Sequence, residues 1–112
     1  MEKNVIIGIL YEYYGELLTE KQSESIELYY LEDLSLTEIA DVMKISKQSV
    51  SENIKRSEKT LLNFEDKLGI YAKSKEINNL INRLELDLME DLDDEKFSEY
   101  IGLIFEIKSK LL

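Results

Sequence analysis

Cysteine, histidine, proline and tryptophan are all missing from this chain of 112 residues. Without cysteine there is no disulfide, zinc–thiolate site or thiol nucleophile. Without histidine the usual proton shuttle at neutral pH and the commonest metal ligand are gone. The lack of proline suits a chain made almost entirely of helices. Glycine is scarce: Gly8, Gly15, Gly69 and Gly102 each stand alone, so no phosphate-cradling loop can be assembled from them. Long apolar runs are absent too. The one candidate signal core, Val5-Ile6-Ile7-Gly8-Ile9-Leu10, follows a single lysine. It is too short for export and far too short to cross a bilayer, so the expectation is a cytoplasmic protein with no membrane span.

What is present reads as one globular domain of the all-α class. Hydrophobic residues make up 44% and charged residues 34%, a balance that excludes a disordered chain, and the length suits a single domain over 1–112. A first helix is expected over 3–17 with Ile6, Ile9, Leu10, Tyr13 and Leu17 on one side. Thr19 and Gln22 form a capping-box pattern that opens a second helix through Ser25, Ile26, Tyr29 and Tyr30. Tyr29 and Tyr30 are expected to face Tyr11, Tyr13 and Tyr14. In a later helix of about 71–90, Ile77, Leu80, Ile81, Leu84 and Leu88 recur at helical spacing. Asp93 and Asp94 then punctuate, and a last helix carries Phe97, Ile101, Ile104, Phe105, Lys108 and Leu111. No strand alternation competes with these patterns.

Residues 35–61 carry the pattern with the clearest functional direction. Ser35 and Glu38 make a second capping box, and Leu36, Ile39 and Ala40 share one face of the short helix that follows. Ala40 is small where a crossing helix must come close. After Val42 and Met43, the turn Lys44-Ile45-Ser46 buries Ile45 and offers Ser46 as the N-cap of the next helix. Val50 and Ile54 form that helix's inner stripe. Its outer face holds Lys47, Gln48, Ser49, Ser51, Glu52, Lys55 and Arg56. This is a helix-turn-helix, in which the first residues of the second helix meet base edges in a DNA major groove.

Residues 18–61, including Leu18-Thr19-Glu20-Lys21-Gln22 and Tyr29-Tyr30-Leu31-Glu32-Asp33-Leu34-Ser35, resemble the promoter-reading fourth region of bacterial sigma factors. The chain as a whole is similar to the small YlxM-like proteins of low-GC Gram-positive bacteria, which join such a module to extra helices. The resemblance implies a DNA-binding regulator, with winged-helix-like character and, through gene neighbourhood, a link to the signal recognition particle pathway. It also places Lys47, Gln48 and Ser51 where sigma factors contact promoter bases. The turn in such modules often carries Gly where this chain has Lys44. Either the lysine adopts the turn at a strain cost or the turn is of another type.

Net charge is −10, which opposes a polyanionic partner. Its distribution works the other way. Between Lys44 and Thr60, Lys44, Lys47, Lys55, Arg56 and Lys59 outnumber Glu52 and Glu58. With a Debye length of about 8 Å at physiological salt, a local basic face acts partly independently of distant acids. Lys47, Gln48 and Ser51 are therefore the candidates for base edges of double-stranded DNA. Lys44, Lys55, Arg56 and Lys59 are the candidates for phosphates.

Other chemistries find little support. The acidic run Glu85, Asp87, Glu90, Asp91, Asp93, Asp94 and Glu95 has no glycine at the place a calcium loop needs one, and reads as a solvated corner. Ser46, Ser49 and Ser51 have no base to activate them. No catalytic residue, metal or cofactor is expected. Residues 71–112 carry more apolar side chains than one hairpin covers, among them Leu86, Met89, Leu92, Leu103, Ile107 and Leu112, which makes this pair the expected homodimer contact. The rival to the DNA-binding reading is an interaction module whose basic face meets signal recognition particle protein or RNA.

Overall fold

In α1, Lys3–Tyr14, apolar residues occupy so many positions that sequence periodicity alone cannot choose the buried stripe. Packing chooses Ile7, Leu10 and Tyr14, one helix face at i, i+3 and i+7. The expected stripe is thus displaced by one residue, and the helix ends three residues early. Leu17 falls in a 3-10 turn, Gly15–Leu17, and is exposed. A Cβ at Gly15 would stand 2.9 Å from the Tyr11 ring, so a larger residue there has to displace that ring.

The computed structural model describes residues 2–111, and no strand occurs among them. The all-α expectation is met. The winged-helix-like element is not, because a wing is a β-hairpin. The chain divides into two compact units, Met1–Gly69 and Ile70–Leu112.

In the first unit α2, Glu20–Ile26, opens on the expected capping box: Gln22 N–H donates to Thr19 Oγ1 at 3.2 Å and Thr19 N–H to Gln22 Oε1 at 3.1 Å. Instead of continuing as α-helix, the chain widens into a π turn over Glu27–Leu31, closed by Glu32 N–H donating to Glu27 O at 3.0 Å. The inserted residue re-aims the side chains that follow. Tyr30 turns inward toward Glu58, while Tyr29 meets the Tyr30 ring edge-on with centroids 5.0 Å apart. Tyr14 of α1 donates to Glu65 Oε1 and lies 5.9 Å from the Phe64 ring.

The helix pair follows as α3, Leu36–Met43, and α4, Lys47–Leu68. Glu38 N–H donates to Ser35 Oγ at 3.1 Å, and Ser35 N–H to Glu38 Oε1 at 3.0 Å. The backbone hydrogen bond from Ser35 holds the Glu38 carboxyl below its ordinary pKa. Ile39, Val50 and Ile54 form the buried centre, with Leu28, Leu34, Leu36, Ala40, Met43 and Ile45 packed around it. Gly69 ends α4 in the left-handed region, at φ 63, the usual glycine stop.

Lys44 closes α3 in that same region, at φ 57 and ψ 44. This answers the question left open by the missing glycine: the turn type is kept and the lysine bears the strain. A left-handed L-residue costs roughly 1 kcal/mol that glycine avoids. Lys44→Gly is therefore expected to raise the melting temperature of the first unit by about 4–8 °C. Circular dichroism melts compare the two proteins.

In the second unit α5, Ile70–Asp91, and α6, Asp94–Ser109, pack together across the short link Leu92-Asp93. Asp93 is the N-cap and accepts from Lys96 N–H at 2.8 Å. Ile81 and Ile104 are the buried apolar residues, and Lys108 donates to Glu85 Oε2 at 3.0 Å. Of the expected stripes, Ile77, Leu80, Leu84 and Phe105 are exposed. Leu112 lies outside the described residues.

Candidate nucleic-acid interface

The first turn of α4 is presented by its cap. Ser46 Oγ accepts from Ser49 N–H at 3.0 Å and donates to Ser49 Oγ at 2.8 Å, which fixes where the helix begins. From there each residue turns about 100°. With Val50, Ile54, Ser57, Glu58 and Leu61 buried, the face pointing away from the core is centred on Gln48, Glu52, Lys55, Arg56 and Lys59. All five are exposed, as are Lys44 and Lys47. The structure thus brings six of the seven candidate residues onto exposed positions along α4 and its preceding turn. Ser51 is half-buried on one flank, where it helps line a cleft of about 240 Å³ with Lys3, Tyr29, Tyr30, Lys55 and Glu58.

Glu58 changes the electrostatics of this face. Only 7% exposed, it would be costly to bury as an unpaired carboxylate. Lys3 Nζ stands 2.6 Å from its Oε2, and Glu58 raises the Lys3 pKa by hydrogen bonding and by charge. Tyr30 is held protonated well above its ordinary range, first by burial and then by the Glu58 charge and hydrogen bond. One of the two carboxylates of this stretch is thereby turned into the protein and neutralised from α1. Five basic side chains remain outward against Glu52 alone. The sequence held no local signal for this, because Lys3 and Glu58 are far apart in the chain.

Glu52 is the acidic member of the outward face, and Gln48 Nε2 donates to its Oε1 at 3.4 Å. Its position, one turn beyond Gln48, is visible from helical spacing, though the sequence reading gave it no role. A carboxylate there repels phosphate but accepts from an exocyclic amine such as cytosine N4. Among the described residues, no cluster of three or more His, Cys, Asp or Glu side chains is arranged to hold a metal ion, and no helix is long and apolar enough to cross a membrane.

The family model UPF0122, described as "Putative helix-turn-helix protein, YlxM / p13 like", matches residues 1–101. The chain belongs to this family. A UPF0122 protein of Thermoanaerobacter sp. strain X514 is 39% identical over 107 residues, covering 96% of this chain and 92% of that one. One of Bacillus mycoides strain KBAB4 is 40% identical over 111 residues, covering 99% and 98%. A third, from Oceanobacillus iheyensis, is 43% identical over 86 residues, covering 77% and 82%. The family is described by its helix-turn-helix motif.

Proposed function

We propose that this UPF0122 protein is a cytoplasmic DNA-binding regulator that sets α4 into the major groove. The observation that carries the reading is the exposed face of α4, where Gln48 precedes Lys55, Arg56 and Lys59, with Lys47 exposed at the start of the helix and Glu58 turned inward and paired. Lys47 and Gln48 approach base edges, with Ser51 at the margin. Lys44, Lys55, Arg56 and Lys59 approach phosphates. The work is binding, not catalysis. Glu52 and the overall charge of −10 favour a second reading, in which the same face meets a signal recognition particle protein or RNA. Fluorescence anisotropy with a labelled random DNA duplex, an RNA hairpin and the particle's protein at matched low salt separates the two. Tight duplex binding supports the first reading, and binding to the RNA or protein alone supports the second.

The same proposal makes the protein a homodimer through α5 and α6. Two helices that bury only Ile81 and Ile104 while exposing Leu80, Leu84, Leu86, Met89, Leu103 and Ile107 leave an apolar surface of the kind that marks an interface. A two-fold arrangement presenting two reading helices to one side of a duplex spaces them about 34 Å apart or a multiple of it. Leu103→Glu is expected to give a monomer with the melt of the first unit preserved. Sedimentation velocity at tens of micromolar reads the mass, and a monomeric wild type removes the dimer from the proposal.

A further inference from the structure

The groove of B-DNA is about 12 Å wide, and a helix with its side chains is 10–12 Å across. A helix seated in it presents its outward face to base edges and its flanks to the two phosphate strands. On the flank of α4 opposite Ser51 lies a cleft of about 320 Å³ lined by Lys21, Ile45, Ser49, Glu52, Asn53 and Arg56. Lys21 comes from α2, and its place beside α4 is fixed by two hydrogen bonds from Asn53. Asn53 Nδ2 donates to Lys21 O at 3.2 Å and to Ser25 Oγ at 2.7 Å, while Ser25 Oγ donates back to Lys21 O. Ser25 is fully buried, so the anchor of this arrangement sits in the core, while Lys21 itself is exposed. Its ammonium enters no ion pair among the described residues. Glu52 opposes the site with one negative charge, against the two positive charges of Lys21 and Arg56.

We infer that the cleft between α2 and α4 is a backbone-phosphate site for duplex DNA, with Lys21 and Arg56 contacting the phosphate and Asn53 acting as a positioning residue for Lys21. The inference rests on the DNA-binding reading and adds to it a cation from outside the helix-turn-helix.

The test is the dependence of duplex affinity on salt, measured by anisotropy with the full chain. Lys21→Ala is expected to flatten the slope of log affinity against log salt by about one unit on every duplex alike. Lys73→Ala, which changes net charge equally but lies on α5, is expected to leave the slope at its wild-type value. Asn53→Ala should flatten it partway toward the Lys21→Ala value and add nothing when Lys21 is already Ala, a coupling that general loosening of the fold would not produce. Equal slopes for Lys21→Ala and Lys73→Ala overturn the inference while duplex binding by wild type keeps the DNA reading intact. No wild-type binding at low salt overturns both. An RNA duplex bound as tightly and with the same Lys21 dependence also overturns the inference, because the narrow A-form major groove does not admit α4.

Discussion

Ile54→Asp is expected to abolish the cooperative melt of the first unit. Ile54 is 4% exposed and packs with Ile39 and Val50 at the crossing of α3 and α4. The substitution removes a buried aliphatic side chain and puts a carboxylate into the apolar crossing, next to the Glu58 carboxylate that already takes up Lys3. Each change costs about 2–5 kcal/mol, and together they rival the whole stability of a small domain, about 5–15 kcal/mol. Gln48→Ala, on the exposed face of the same helix, should stay within about 0.5 kcal/mol of wild type. Chemical denaturation followed by circular dichroism compares the two. Equal losses would mean that the inner and outer faces of α4 are assigned the wrong way round.

The largest effect on binding is expected from the double change Lys55→Ala with Arg56→Ala. Both side chains are exposed, so the melt should hardly move. Duplex affinity at low salt should fall by roughly tenfold or more, and the salt slope should flatten by about two units, alike on preferred and random sequences. Lys47→Ala and Gln48→Ala should behave differently, costing about 1–3 kcal/mol on a preferred site and little elsewhere. Anisotropy titrations over a range of salt concentrations measure both patterns. If the double change removes preference for one sequence while sparing general affinity, Lys55 and Arg56 are base readers and not phosphate contacts.

The parts of the fold that were legible are those governed by residues three or four apart. Thr19 with Gln22, Ser35 with Glu38, Ser46 and Asp93 set helix starts through bonds to their own neighbouring backbone, so their chemistry is readable wherever the helix later packs. The inner stripe of Val50 and Ile54 was legible for a related reason: polar residues on either side leave only one apolar face. In α1, by contrast, Val5, Ile6, Ile7, Ile9 and Leu10 offer several apolar stripes of nearly equal merit. Which one turns inward depends on the shape of the surface it meets. The π turn at Glu27–Leu31 lies between two legible helix starts, yet its extra residue has no marker in composition.

By itself, then, the sequence determined an all-α chain, its capped helix starts, and a helix-turn-helix whose second helix has a polar outer face, because each of these follows from local hydrogen bonding and helical period. Tertiary structure decided which stripe of α1 is buried, that Glu58 is drawn inward to Lys3 and Tyr30, and that Asn53 fastens Lys21 beside α4. Those outcomes depend on residues tens of positions apart meeting in space. The charge of the reading face is one of them: counted along the chain it includes Glu58, and counted on the folded surface it does not.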